Sequence, residues 1–308
     1  MKFKFIFIVL FFNSVAYSQL PAVVAGRIQR IDSFSSKYIS PRNIDIWLPA
    51  GFNKNNKYPV LYMHDGQMLF DGTHTWTKTS WDIDDVVTRL VAENKIPNII
   101  VVGIWSNGGS RHADYFPQKP YESMSKENKE RILNAVKTNG FPFFNIENYL
   151  QSDNYLKFIV KELKPFIDSA YPTLKDYKNT IIGGSSMGGL ISIYAICEYP
   201  AIFGGAICMS THWPGIFSMQ DNPIPDAFNR YLANKLPSPS SHKLYFDYGT
   251  KTLDSLYEPL QKAIDITIKK RGFTQLQWMT RKFDGEEHSE IAWRKRVHIP
   301  LSFMYKKK

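Results

Sequence analysis

Cysteine is scarce in this chain: only Cys197 and Cys208 occur in 308 residues. That excludes a disulfide-stapled scaffold. The two fall on a helix end and the strand after it, where buried free thiols are expected. The continuously apolar stretch Phe5 to Phe12 is far shorter than the roughly 20 residues that span a bilayer. Lysine and arginine exceed the acids by 38 to 28, a formal charge of +10, but the excess is dispersed and densest at Lys306-Lys307-Lys308. No basic stripe interleaved with aromatics accompanies it, so no nucleic-acid partner is expected. At most, the excess gives a mild preference for anionic substrates. Internal repeats and low-complexity tracts are absent. His64-Asp65 has no further ligands at metal-site spacing. The glycines between 183 and 189 lack a P-loop lysine and a G-x-G-x-x-G fingerprint. No metal or cofactor is expected.

The N-terminus carries an address. Lys2 and Lys4 precede the apolar run, and Ala16-Tyr17-Ser18 places small residues where a signal peptidase reads them. Residues 1–18 read as a signal peptide cleaved before Gln19, with no cysteine there to take a lipid. The expected mature protein is exported to the periplasm or medium, without stable membrane insertion.

Residues 19–308 read as a single α/β domain. Asn43 to Leu48 alternates polar and apolar, and Val23 to Ile31 is its expected antiparallel partner. Unalternating runs at Pro59 to Met63, Ile99 to Trp105, Thr180 to Gly183, Phe203 to Met209 and Lys243 to Tyr248 suit strands buried on both faces. Between the first two, Ile83, Val86, Val87, Leu90 and Val91 trace one helical face. Further helices are expected over Tyr155 to Ile167, Leu190 to Cys197, Ala227 to Ala233, Tyr257 to Lys270 and from Ser289. A last strand is expected over Gln275 to Phe283. The pattern is a doubly wound, mostly parallel sheet with an antiparallel start. Residues 106–150 interrupt it with an aromatic-rich, lid-like insertion holding one helix, Lys126 to Lys137.

Gly184-Ser185-Ser186-Met187-Gly188 has the G-x-S-x-G form of a nucleophile elbow centred on Ser186. Five residues are a short pattern, so a base, an acid and an oxyanion hole must stand in matching places. On this architecture acid and base follow the serine in that order. Of seven histidines, order removes His64, His74 and His112. His212 leaves only Glu198 between, His242 begins a strand and His298 lies within the last helix. His288, just after the last strand, is the expected base. Asp254 follows the preceding strand and is favoured as the acid over Asp247, which lies inside that strand, and Glu258, which is already on a helix. Two backbone amides must face the developing oxyanion. Met187 gives one, and Gln67, with Gly66 beside it, is expected to give the other.

Tyr62 to Asp71 (YMHDGQMLFD), the elbow, Asp247-Tyr248-Gly249-Thr250 and Glu287-His288-Ser289-Glu290-x-x-Trp293 together resemble the putative esterase family of α/β-hydrolases. That family includes esterase D, family 1 carbohydrate esterases and enterobactin-type esterases. The resemblance runs from about Asn43 to Tyr305 and implies an α/β-hydrolase fold. It matches Ser186, Asp254 and His288 to the triad, and Met187 and Gln67 to the oxyanion donors. Many members place the acid directly after the Gly-Thr turn, whereas here Lys251-Thr252-Leu253 intervene. The expected activity is hydrolysis of a carboxylic ester, on a glycan or small molecule, with Trp105, Trp213 and Tyr115 as substrate contacts. A siderophore trilactone is the rival substrate. A non-catalytic glycan-binding module using Trp76, Trp81 and Trp293 as well is the rival function, although a pure binder need not keep a triad.

Overall fold

A computed structural model describes residues 19–73, 75, 77–138 and 150–306. The expected signal peptide, His74 and Trp76 lie outside the described residues. So does part of the insertion, including Phe141, Phe143 and Phe144.

Eight strands form one sheet: β1 (Arg27–Phe34), β2 (Arg42–Leu48), β3 (Val60–His64), β4 (Ile100–Ile104), β5 (Thr180–Ser185), β6 (Gly205–Met209), β7 (Lys243–Gly249) and β8 (Trp278–Phe283). Their spatial order is β1-β2-β4-β3-β5-β6-β7-β8. β2 is antiparallel to both β1 and β4, and every other pairing is parallel. The fold is thus the α/β-hydrolase type, with its antiparallel strands at the N-terminal edge.

The pleat divides the core. Val60, Tyr62, Ile100, Val102 and Ile182 feed one apolar layer, while Leu61, Met63, Val101 and Ile181 feed the other. Helix α1 (Ile83–Ala92) covers the second layer. Helices α2 (Arg111–Tyr115), α3 (Gln118–Glu122) and α4 (Lys126–Thr138) follow β4. α5 (Ser152–Phe158) runs through a π-turn, Ile159–Leu163, into α6 (Lys164–Ala170), which packs on the first layer. That layer is completed by α7 (Met187–Glu198), α8 (Ile224–Lys235) and α9 (Tyr257–Lys270). α10 (Glu290–Arg296) and α11 (His298–Tyr305) close the chain, α11 lying against α1. Among the described residues no helix is long and apolar enough to cross a membrane.

Among the boundaries that differ from expectation, three have plain local reasons. β1 starts at Arg27 because the preceding segment is tied elsewhere: Ala22 N donates to Asp71 and Val24 N to Asp84. β8 starts at Trp278 because Thr274–Gln277 forms a turn, with Gln277 N donating to Thr274 O at 3.0 Å. The C-terminal helix is two helices broken at Val297. The described part of the insertion is packed, with Tyr115, Phe116 and Tyr121 buried and Gln151 N bonded to Ala113 O.

β3 lies between β4 and β5, so the strand order reverses there. At such a switch point the loops leaving the carboxyl ends diverge and open a crevice. Here they are the loop at Asp65 and the turn at Ser186.

Candidate active site

Ser186 closes β5 with φ 57° and ψ −123°, a backbone that side-chain-bearing residues rarely adopt. Its peptide is held on three sides: Ser186 N donates to Met209 O at 2.9 Å, and its carbonyl accepts from Leu190 N and His212 N at 3.2 Å. Glycine at 184 is required by close approach. A Cβ there would meet the Gly188 backbone at 3.1 Å and His64 Cβ at 3.2 Å. α7 begins directly at Met187, whose amide belongs to the first helical turn and lacks an intrahelical acceptor.

The Asp65 turn is braced against the elbow. Asp65 has φ 56° and leads into a 3-10 turn, Gly66–Met68. Its amide donates to Tyr115 Oη at 3.2 Å. Its carboxylate takes a two-pronged pair from Arg111, at 2.7 Å from Nε and 2.8 Å from Nη2. Burial opposes ionisation of Asp65, but the Arg111 guanidinium outweighs it and holds the carboxyl below the usual range. Gln67, in the middle of the turn, is locked by its side chain. Nε2 donates to Ser106 Oγ at 2.6 Å, and Ser106 N donates to Oε1 at 3.1 Å. His64 is buried, contacts Tyr155 Oη through Nδ1 at 2.7 Å, and is kept neutral by burial, with its pKa pushed down to about 3.

His288 and Asp254 meet at 2.5 Å, Nδ1 to Oδ1. The three residues inserted before Asp254 are absorbed by a 3-10 turn, Thr252–Leu256, which returns the carboxylate to the end of β7. There Asp254 Oδ2 accepts from Gly249 N and Ser210 Oγ, both at 2.6 Å. The two loops are zipped together: Thr250 N and Lys251 N donate to Glu286 O, and His288 N to Thr252 Oγ1 at 2.9 Å. Burial raises the Asp254 pKa, but His288, Ser210 and Gly249 overcome it and hold the acid below its ordinary value. Asp247 is engaged elsewhere, paired with Arg296 at 3.0 Å. Glu258 pairs with Lys262 and Lys282.

Ser186 and His288 line one cleft of about 340 Å³ together with His64, Asp65, Arg111 and Glu290. Met68, Trp81, Phe217, Leu253 and Trp293 add apolar wall. With Nδ1 held by Asp254, Nε2 is the imidazole nitrogen outside that pair. Met187 and Gln67 stand on the two turns that flank this cleft.

The expected substrate contacts lie elsewhere. Tyr115 and Trp213 are fully buried; the first receives the Asp65 amide, and the second donates to Gln261 Oε1 at 2.9 Å. Trp105 donates to Asp45 at 2.7 Å beneath the Arg30 guanidinium. None of the three lines the cleft. The wall is built instead by Trp81 and Trp293, whose rings lie 5.5 Å apart, and by Arg111 and Glu290. For Glu290 and Trp293 a local signal existed: they fall at i and i+3 of a helix capped by Ser289, next to His288.

The sequence matches known proteins along most of its length. It is 25% identical over 293 residues to the endo-1,4-beta-xylanase/feruloyl esterase of Xylanibacter ruminicola, covering 91% of this chain and 32% of that protein. Among solved structures, the CE1 ferulic acid esterase of Anaeromyces mucronatus superposes with a TM-score of 0.61 at 19% identity, covering 94% of each chain. The enterobactin esterase of Shigella flexneri gives 0.64 at 17% identity, covering 92% of this chain and 61% of that one. At those identities the structural likeness speaks for the fold alone. Residues 35–138 and 141–297 match the family described as "Putative esterase", and the chain therefore belongs to that esterase family.

Proposed function

We propose that the protein is an exported serine carboxylic ester hydrolase acting on an acylated glycan or a similar ester. One observation carries this reading: the strained Ser186 and the Asp254-bound His288 open onto the same cleft. In the proposed reaction Ser186 Oγ attacks the ester carbonyl while His288 Nε2 takes its proton. The Met187 and Gln67 amides receive the oxyanion, at about 3 kcal/mol of transition-state stabilisation each. His288 returns the proton to the departing alcohol, leaving an acyl-serine. Water, deprotonated by His288, then releases the acid and restores the serine. Asp254 keeps the imidazole in the tautomer protonated at Nδ1 and stabilises its charged form.

The glycan-ester reading is supported by the feruloyl esterase name of one relative and by the apolar wall of the cleft. The test is a panel of p-nitrophenyl acetate, methyl ferulate, acetyl-xylan and enterobactin with wild type and Ser186→Ala. Turnover of the glycan-type esters, lost in the variant, is expected. Turnover of enterobactin alone overturns the substrate, and hydrolysis undiminished in Ser186→Ala overturns the mechanism.

A further inference from the structure

Two acidic side chains line the cleft, and among the described residues only Asp65 is in direct contact with a cation. Asp65 is neutralised by Arg111. Glu290, half-buried, has no ion pair among the described residues, and the one hydrogen bond its carboxylate accepts comes from its own backbone N–H. Leaving a half-buried carboxylate without a cation in direct contact is costly. Burial accordingly raises its pKa above the ordinary glutamate value and Asp65 adds to this, against its own backbone N–H and the positive charges of His288 and Arg111, which pull it down. An acid in the first turn of a helix is usually there for the helix dipole and turned to water. This one instead shares the cleft-facing side of α10 with Trp293.

We propose that Glu290 is the hydroxyl acceptor of the alcohol subsite and selects a neutral, polyhydroxylated leaving group. Its position relative to His288 fixes the side of the cleft. His288 delivers a proton to the leaving alcohol oxygen, so groups flanking it meet the alcohol rather than the acyl chain, and Glu290 is two residues away at the start of α10. A carboxylate accepts from hydroxyls through two oxygens, and vicinal hydroxyls match that spacing. Arg111 adds donors to the same cleft: Nε and Nη2 bind Asp65, while Nη1 is outside that pair. Hydroxyls can thus be met by both an acceptor and a donor.

The charge count gives the specificity its sign. Asp65 and Arg111 cancel, so an ionised Glu290 leaves the cleft locally negative although the whole chain is formally +10. An alcohol bearing a carboxylate or phosphate is repelled. The mild preference for anionic substrates drawn from net charge does not extend to this cleft.

This subsite rests on the serine esterase reading of Ser186, so the experiment separates the two. For the acyl group that wild type turns over fastest, kcat and KM are measured on its methyl ester and its sugar ester, with wild type, Glu290→Gln and Glu290→Ala. Glu290→Ala is expected to lose about 10- to 100-fold in kcat/KM on the sugar ester, as for a charged hydrogen bond. The loss should fall in KM, with the methyl ester nearly unchanged. Glu290→Gln should also weaken discrimination against a carboxylated alcohol. An equal loss on both esters, or none on either, overturns the subsite. Fluorophosphonate labelling of Ser186 is followed in every protein. Labelling that persists beside an unchanged sugar-to-methyl ratio overturns Glu290 alone, whereas no labelling of wild type overturns the esterase reading beneath it.

Discussion

Three side chains converge on the hydroxyl of Ser210, a residue held at φ 42°. Its Oγ donates to Asp254 at 2.6 Å and accepts from Trp293 Nε1 at 2.9 Å and Arg296 Nη2 at 2.8 Å. Ser210→Ala therefore deprives Asp254 of a donor and strands two buried N–H groups, costing about 1–3 kcal/mol of stability. Denaturant unfolding should show that loss. The fall in kcat/KM should be much smaller than the ~10⁴-fold expected for Asp254→Asn, because Gly249 and His288 still hold the acid. Asp254 also makes stability depend on pH. Its folded pKa lies below its unfolded value, so its contribution is present above the unfolded value, about 4, and is lost as pH falls through the folded one. The meeting of His288 with Asp254, and of Ser186 with His288 at one cleft, was legible in the sequence because chain order and strand ends confine them. Arg111 and Ser210 were not, since they find Asp65 and Asp254 across 46 and 44 residues with no local pattern between. The choice of Trp105, Tyr115 and Trp213 shows the same limit: composition counts aromatic rings but does not say which way they face.

Elements were legible where burial alone shapes them, as in β3 and β4, and less so where one contact moves a boundary. Gly66 is such a contact. A Cβ there would sit 2.4 Å from the Gly103 carbonyl carbon, whereas one on Gly103 would come no closer than 3.1 Å to Leu69 Cδ1 and 3.2 Å to Gly66 Cα. Gly66→Ala should displace the turn bearing Gln67 and lower kcat by about 10²-fold, the scale of one lost oxyanion donor. Gly103→Ala should be the milder change in the same kinetic assay. Helix α1 gives a second element-scale expectation. Burial raises Asp84 to about 6, with Asp85 and Asp82 adding to it against the hydrogen bond from Val24. The folded protein then holds this proton more tightly than the unfolded chain does, so stability present below about pH 4 is lost as pH rises through 6. Asp84→Asn should raise the melting temperature at pH 8, and the gain should vanish near pH 4.

At the scale of the whole molecule, the reversal of strand order beside β3 brings the Asp65 turn and the Ser186 elbow to one crevice. The loops after β7 and β8 deliver Asp254 and His288 to the same end of the sheet. The fold class was readable because strand and helix periods alternate. The grouping of residues into one cleft wall was not, because Trp81, Phe217 and Trp293 come from three distant segments. Export is tested by expressing the full chain in a host with a secretory pathway. The recovered protein should begin at Gln19, and retention of Met1 in exported material contradicts the proposed cleavage. The proposed chemistry is tested most directly by mass spectrometry after fluorophosphonate treatment. A single adduct on Ser186, absent from Ser186→Ala and slowed in His288→Ala, is predicted; an adduct on another residue, or none while esters are still hydrolysed, contradicts it.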